Sequence, residues 1–337
     1  MVAIKRMRRA LIALIFVFCL AFAFPTGLAF ADENELYLGG FPAGFILNTQ
    51  NVEVIGLCDV DSETGAICPA REGGIMPGDV IKHINGIEIT SVNKLTATLN
   101  EDFSVYKFDI ERGGQQLKTE LLPAKDKKNG KKHFGMLVRD SLNGIGTVTY
   151  INKADRTFAS LGHPVADSSG KLIAINGGTM YGCSIYDVKR GLRGNPGELK
   201  GVFDNGAMLG RITKNTHCGI FGSISADYDL TLLKKIKIGD INQVEMGRAY
   251  IYSTVNGKTC EPYEISIIKV EENNKDNKNF VIKINDKNLL EKAGGIVQGM
   301  SGSPIVQKGK LIGAVTHVFI NDPTRGYGIA IDNMLKS

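Results

Sequence analysis

Cysteine is sparse in this chain and follows no spacing rule. Six occur in 337 residues, and Cys19 falls in an N-terminal leader, leaving Cys58, Cys68, Cys183, Cys218 and Cys260. An odd number at irregular spacing is no disulfide framework, and the lack of a C-x-x-C pair removes the usual cysteine metal site. The set is expected as buried free thiols, with Cys58 and Cys68 able to meet across a turn at 61–65. Net charge is lacking as well. The leader's Lys5, Arg6, Arg8 and Arg9 belong to the 40 Lys and Arg of the chain, and without them 36 basic residues face 35 Asp and Glu. Nothing in that balance calls for a nucleic-acid partner. Helical periodicity is the third scarce feature, and its scarcity points to a mainly β fold.

What is present begins with the leader. Four basic residues precede an uncharged apolar run over 10–24; Pro25 and Gly27 break the run, and Ala29-Phe30-Ala31 offers a small-residue cleavage site. Residues 1–31 are therefore expected as an export signal. The uncharged stretch 10–31 is also nearly long enough to anchor the chain in a membrane.

Residues 35–124 are expected as a small module of strands and short helices. Asn85-Gly86 is a strong hairpin signal, Ser91 is placed to cap a helix through Leu99, and 103–112 with 116–122 reads as a closing hairpin around Gly113-Gly114. The Pro77-Gly78-Asp79-Val80-Ile81 and Ile84-Asn85-Gly86 pair, with Phe41-Pro42-Ala43-Gly44-Phe45, resembles a PDZ domain. That resemblance implies capture of a peptide on a sheet edge, with Ala43, Gly44 and Phe45 in the loop that receives its carboxylate. Lys125-Asp-Lys-Lys-Asn-Gly-Lys-Lys132 reads as a solvated linker. From 133 to 337, short β-like runs broken by glycine argue for antiparallel barrels or a sandwich.

Gly299-Met300-Ser301-Gly302-Ser303-Pro304 is the most informative motif. Glycines around a serine let the backbone turn so that N–H groups, here those of Gly299 and Ser301, point at a developing oxyanion. Ser303 is the alternative nucleophile. A serine needs a base, normally a histidine held by a carboxylate. His83 and His133 fall in the module and at the linker edge, and His217 reads as a strand end. His317 lies on the strand after the serine hairpin, where it suits a substrate-pocket wall. His163, in Leu161-Gly162-His163-Pro164, projects from a loop end and is the preferred base. For the acid, Asp286 gives the chain order His, Asp, Ser, although the same residue suits an N-cap for a helix at 289–293 ended by Gly294. Asp167 would serve its own turn; Asp140, Asp227, Asp322 and Asp332 remain open.

Leu161-Gly162-His163, the run from Gly294 to Pro304, Gly313-Ala314-Val315-Thr316-His317-Val318-Phe319 and Asn321-Asp322-Pro323 with Gly326-Tyr327-Gly328 are similar to the sporulation stage IV B peptidase family. The resemblance covers nearly the whole chain after the leader, including a PDZ domain placed before the protease. HtrA-type quality-control proteases, which carry the PDZ domain after it, fit less well. The resemblance implies a PDZ domain followed by a chymotrypsin-like double β-barrel over 133–337. It implies a serine endopeptidase with a triad of Ser301, His163 and Asp286, and without a metal or organic cofactor. It further implies export into the space between forespore and mother-cell membranes, self-cleavage, and cutting of a membrane-bound protease–inhibitor complex. A different class of reading, an exported PDZ scaffold with an inactive barrel, is separated from it by whether Ser301 can be acylated.

Overall fold

The computed structural model describes residues 35–167 and 169–337; the leader expected over 1–31 lies outside the described residues. The fold is mainly β, with 55% strand and 10% helix, and eighteen strands join one hydrogen-bonded network. No helix among the described residues is long and apolar enough to cross a membrane. The five cysteines are free: Cys68 and Cys183 are buried, while Cys58 is exposed, against the expectation for it.

The chain does not build a complete small module and then a separate second core. The first strand, Glu35–Leu38, pairs with both Met136–Asn152 and Lys235–Ile238. The next strand, Pro42–Leu57, runs through two neighbourhoods. Its first half pairs with 141–147 and with Ile175–Lys189, and its second half pairs with 136–139 and Val80–Ile84. The side chains explain the division. Ala43, Phe45 and Leu47 alternate onto one face and join Val148, Ile151, Phe158 and Met180 in one core, whereas Val52 and Val54 join Ile81, Tyr106, Phe108 and Phe134 in another. The expected module boundary at 35 therefore moves to about residue 51, and the module is an insertion bounded by two long paired strands. The expected linker 125–132 is corrected too. Ala124–Lys125 pairs with Lys132–His133, so this stretch is a hairpin within the module, whose core includes Phe134 beyond it.

Inside the insertion, local turn chemistry behaves as expected. Asn85 and Gly86 take left-handed φ of 50° and 79° between paired strands, the geometry a two-residue hairpin requires. Tyr106–Arg112 pairs with Gln115–Leu121 around Gly113-Gly114. The helix Val92–Leu99 starts at Ser91, whose hydroxyl accepts from Lys94 N–H at 3.1 Å. Asp140, on the long strand Met136–Asn152, accepts from Val92 N–H at 2.8 Å and ties the helix to the ribbon that carries the insertion.

Later strands gather around the first of these cores and one further core. Thr157–Ser160, Ile175–Lys189, Glu198–Thr216 and Gly219–Ile224 share the core of Phe45, Leu47, Phe158 and Ile220. Gly247–Ser253, Glu261–Val270, Phe280–Ile284, Pro304–Gln307, Lys310–Phe319 and Asp322–Ala330 close over Ile251, Ile265, Phe280, Ile282, Ile305 and Val315. The loop 299–303 lies where the two meet. Ser301 carbonyl accepts from Thr147 N–H of the first group, and Gly302 N–H donates to Val315 carbonyl of the second.

Candidate active site

The serine loop is fixed through its carbonyls. Gly299 carbonyl accepts from Thr147 Oγ1 at 2.8 Å, Ser301 carbonyl from Thr147 N–H at 3.0 Å, and Gly302 carbonyl from Thr149 Oγ1 at 2.8 Å. Met300, Gly302 and Ser303 donate their N–H groups to Val297, Val315 and Met300 carbonyls. Among the described residues, no protein acceptor takes the N–H of Gly299 or Ser301. These are the two donors expected from the sequence for an oxyanion, left free by a loop whose other polar groups are satisfied. Gly299 and Gly302 have φ of 96° and 92°, conformations that disfavour a side chain. Thr147 and Thr149 were not among the sequence candidates. Two buried threonines in an otherwise apolar run, Gly146-Thr147-Val148-Thr149, are the only local sign of them.

The two serines differ sharply. Ser303 is fully buried and its hydroxyl donates to Ser253 Oγ at 3.0 Å. Ser301 is half-buried, and its hydroxyl donates to Thr316 carbonyl at 2.8 Å. Thr316 sits at a register irregularity between Val315, paired with Gly328, and His317, paired with Tyr327. A bulge re-aims successive side chains. Here Val315 stays in the core while His317 turns outward, and the Thr316 carbonyl is released towards Ser301. Thr316 Oγ1 is buried with no partner among the described residues.

His163 arrives on a tight turn. Leu161 and Gly162 both have φ of 70°, and a Cβ on Gly162 would lie 3.0 Å from Thr316 Cγ2, so the histidine turn rests on the same bulge. Imidazole Nδ1 lies 2.9 Å from Pro164 carbonyl, and the ring packs on His317 with centroids 4.7 Å apart and planes tilted by 37°. Burial of the His163 ring lowers its pKa, partly opposed by the Pro164 hydrogen bond. His317 is exposed as a residue, but its ring is desolvated where it packs on His163; this desolvation, then the charges of His163 and Lys278, push its pKa down to about 4. Both shifts favour the uncharged form of the ring. The Nδ1 proton on Pro164 carbonyl leaves Nε2 of His163 as the basic nitrogen.

Among the described residues, Asp286, the expected acid, forms no hydrogen bond or ion pair with His163. Asp286 accepts from Leu289 N–H at 3.0 Å and caps the helix Lys287–Ala293, which Gly294 ends in a left-handed conformation. Asp167 accepts from Ser169 and Lys171 and holds its own turn. Asp140 caps the insertion's helix, and Asp322 accepts from Thr324. Among the described residues no carboxylate forms an ion pair or hydrogen bond with His163.

One cavity adjoins the histidine turn and another lies in the insertion. The first, of about 90 Å³, is lined by Leu161 and Val165, on either side of His163, with Phe45, Leu142 and Ile145. The other, about 310 Å³, lies in the insertion between the helix residues Val92, Leu95 and Leu99 and the strand residues Met136 and Val138, beside Lys132. Ala43, Gly44 and Phe45 line no carboxylate-receiving loop. They sit inside a strand paired on both edges, and a Cβ on Gly44 would lie 2.5 Å from the Phe203 ring. Their alternating apolar pattern suits this sheet, whose hydrogen bonds occupy the N–H groups that the loop reading needs.

A solved structure of a thermostable serine protease, AL20, from an extremophilic microorganism is similar over 56% of this chain and 85% of its own, at 12% identity and a TM-score of 0.34. A family model described as SpoIVB peptidase S55 matches residues 130–335. That span contains Ser301, His163 and the bulge at Thr316; the strands at 35–49, which complete the same core, lie before it. With more than half of its length matched, this chain belongs to the SpoIVB peptidase S55 family.

Proposed function

We propose that the chain is an exported serine endopeptidase of sporulation, acting through an acyl-enzyme on Ser301. One observation carries the reading. A half-buried serine lies on a loop whose Gly299 and Ser301 N–H groups have no protein acceptor among the described residues, while a histidine turn rests on the same bulge as its hydroxyl. In the cycle, Ser301 Oγ swings from Thr316 carbonyl to Nε2 of His163, which takes its proton as the oxygen attacks the scissile carbonyl. Gly299 and Ser301 N–H groups receive the oxyanion; one such donor is typically worth about 10²–10³ in turnover. His163 then returns the proton to the leaving amine, and water resolves the ester by the same steps in reverse.

The resting contact of Ser301 with Thr316 favours the rival, an inactive exported scaffold, and cleavage of an unstructured peptide library separates the two. New N-termini are expected with the wild-type protein; a library left intact would favour the scaffold. Because burial disfavours the charged ring of His163, the acid limb of kcat/KM is expected with its midpoint below the ordinary imidazole value of about 6.5. A midpoint at or above that value would contradict a desolvated base.

For Asp286 we propose a capping role, with Pro164 carbonyl setting the imidazole tautomer. Asn caps as well as Asp does. Asp286→Asn is therefore expected to keep turnover within about threefold, and Asp286→Ala to cost about 1 kcal/mol of stability. A loss on the order of 10⁴ for Asp286→Asn, as when a triad aspartate is neutralised, would return Asp286 to the triad carried by the family resemblance.

The remaining parts of the reading rest on the family. The insertion acts as a PDZ module, and its groove beside the helix Val92–Leu99, rather than 43–45, is the place for a peptide. The two outer core regions stand for the two barrels of a chymotrypsin-like peptidase. The leader takes the protein to the space between forespore and mother cell, transiently anchored. There its substrates are itself and a membrane-bound protease–inhibitor complex.

A further inference from the structure

We infer that His317 is a positioning residue for the base, a ring plate that fixes the plane of the His163 imidazole. The inference rests on the proposed roles of Ser301 and His163. Three observations converge on it. The two imidazoles pack at 4.7 Å between centroids. Among the described residues no carboxylate reaches His163, so its only polar tether is Pro164 carbonyl at 2.9 Å, which holds one ring atom and leaves rotation about that contact open. Finally, the irregularity between Val315 and His317 turns the His317 ring outward at the residue next to the carbonyl that holds Ser301 Oγ. One two-residue segment thus sets both the nucleophile and the plane of the base.

The charges around the pair are few. His317 faces His163 and Lys278; the Lys278 amine lies over the Tyr327 ring at 5.1 Å, and Tyr327 pairs with His317 across the sheet. Asp322 is turned to Thr324 and Arg325. A neutral plate beside a neutral base excludes water from one face of His163 without adding a charge that would compete for its proton. A positive His317 would repel the imidazolium formed during attack, so the plate works only while it is uncharged.

The test uses the full chain carrying His317→Ala or His317→Phe. Two readouts are followed from about pH 4 to 9: the rate of Ser301 acylation by a fluorophosphonate, and ¹⁵N NMR of the His163 imidazole. Loss of the plate in His317→Ala is expected to slow acylation about 10- to 100-fold, the scale of a misplaced catalytic group. It should also raise the His163 titration midpoint as water reaches the ring, and mix its tautomers. His317→Phe, which keeps a flat ring, is expected to restore the rate to within about threefold of wild type and the single tautomer. An unchanged His163 midpoint and tautomer in His317→Ala would overturn the inference, as would a His317→Phe protein as slow as His317→Ala. Because His317 is exposed, neither change opens a core cavity. The NMR readout reports on His317 even if no variant is acylated, and a wild-type protein that resists the probe would count against the peptidase reading instead.

Discussion

Ser301→Ala is expected to abolish fluorophosphonate labelling and peptide cleavage, a loss on the order of 10⁶ in turnover, the scale seen when a catalytic serine is removed. The change deletes the nucleophile and very little else. Ser301 Oγ makes one hydrogen bond, to Thr316 carbonyl, so the cost in stability should stay near ~1 kcal/mol. The loop is held by its backbone through Thr147, Thr149 and Val315, none of which the substitution touches. Ser303→Ala supplies the contrast. Its hydroxyl is buried against Ser253, so that change should lower stability modestly while labelling persists. Equal labelling of wild type and Ser301→Ala would remove Ser301 as nucleophile. Labelling lost only in Ser303→Ala would move the chemistry to a residue that must first leave its buried site.

The second large effect is structural and falls on the next residue. Gly302→Ala is expected to unfold the serine loop and to destabilise the protein by on the order of 4 kcal/mol or more. Two causes act together. With φ at 92°, Gly302 occupies a region that L-residues avoid. A Cβ there would also lie 2.1 Å from Thr147 carbonyl oxygen and 2.5 Å from Leu161 N. Both neighbours are backbone held in strand and turn, so neither can step aside as a flexible side chain would. Gly309→Ala separates the causes. Its φ is 77° but nothing lies within 4 Å of the new carbon, so only the left-handed cost of about 1–2 kcal/mol applies. Urea unfolding of both variants measures the difference. A Gly302→Ala midpoint no lower than that of Gly309→Ala would mean that the Thr147–Leu161 corner is softer than described.

Features set by local chemistry were legible in the residues. Asn85-Gly86 and Gly113-Gly114 announced hairpins because left-handed φ is a property of those residues, and Asp286 with Gly294 announced a capped helix for the same reason. The serine loop and the histidine turn were readable through their glycines. What the sequence concealed depends on partners far along the chain. The alternation Ala43, Phe45, Leu47 fixes which face of a strand is buried but not which sheet receives it, so 41–45 was read into the wrong core. Thr147 and Thr149 clamp a loop more than 150 residues away, and nothing beside them in sequence says so. The bulge at Thr316 breaks the period of two that relates Val315 to His317, and it is why His317 meets the base. The family resemblance assigns Ser301, His163 and Asp286 to one triad, whereas the local role of Asp286 as a helix cap is legible from its own neighbours.

The insertion of 51–138 between paired halves of two long strands has a consequence for any cut within its 125–132 hairpin. In a protein built of consecutive domains, such a cut would release the N-terminal piece. Here the piece before the cut carries Glu35–Leu38 and the first half of Pro42–Leu57, which lie between strands of the other piece. The clipped protein should therefore migrate as one particle under native conditions and as two fragments only after denaturation, with Ser301 in the larger. Scission at that site would be silent to gel filtration and would leave the catalytic core assembled as a two-chain enzyme, unable to regain its fold readily once the fragments had been separated.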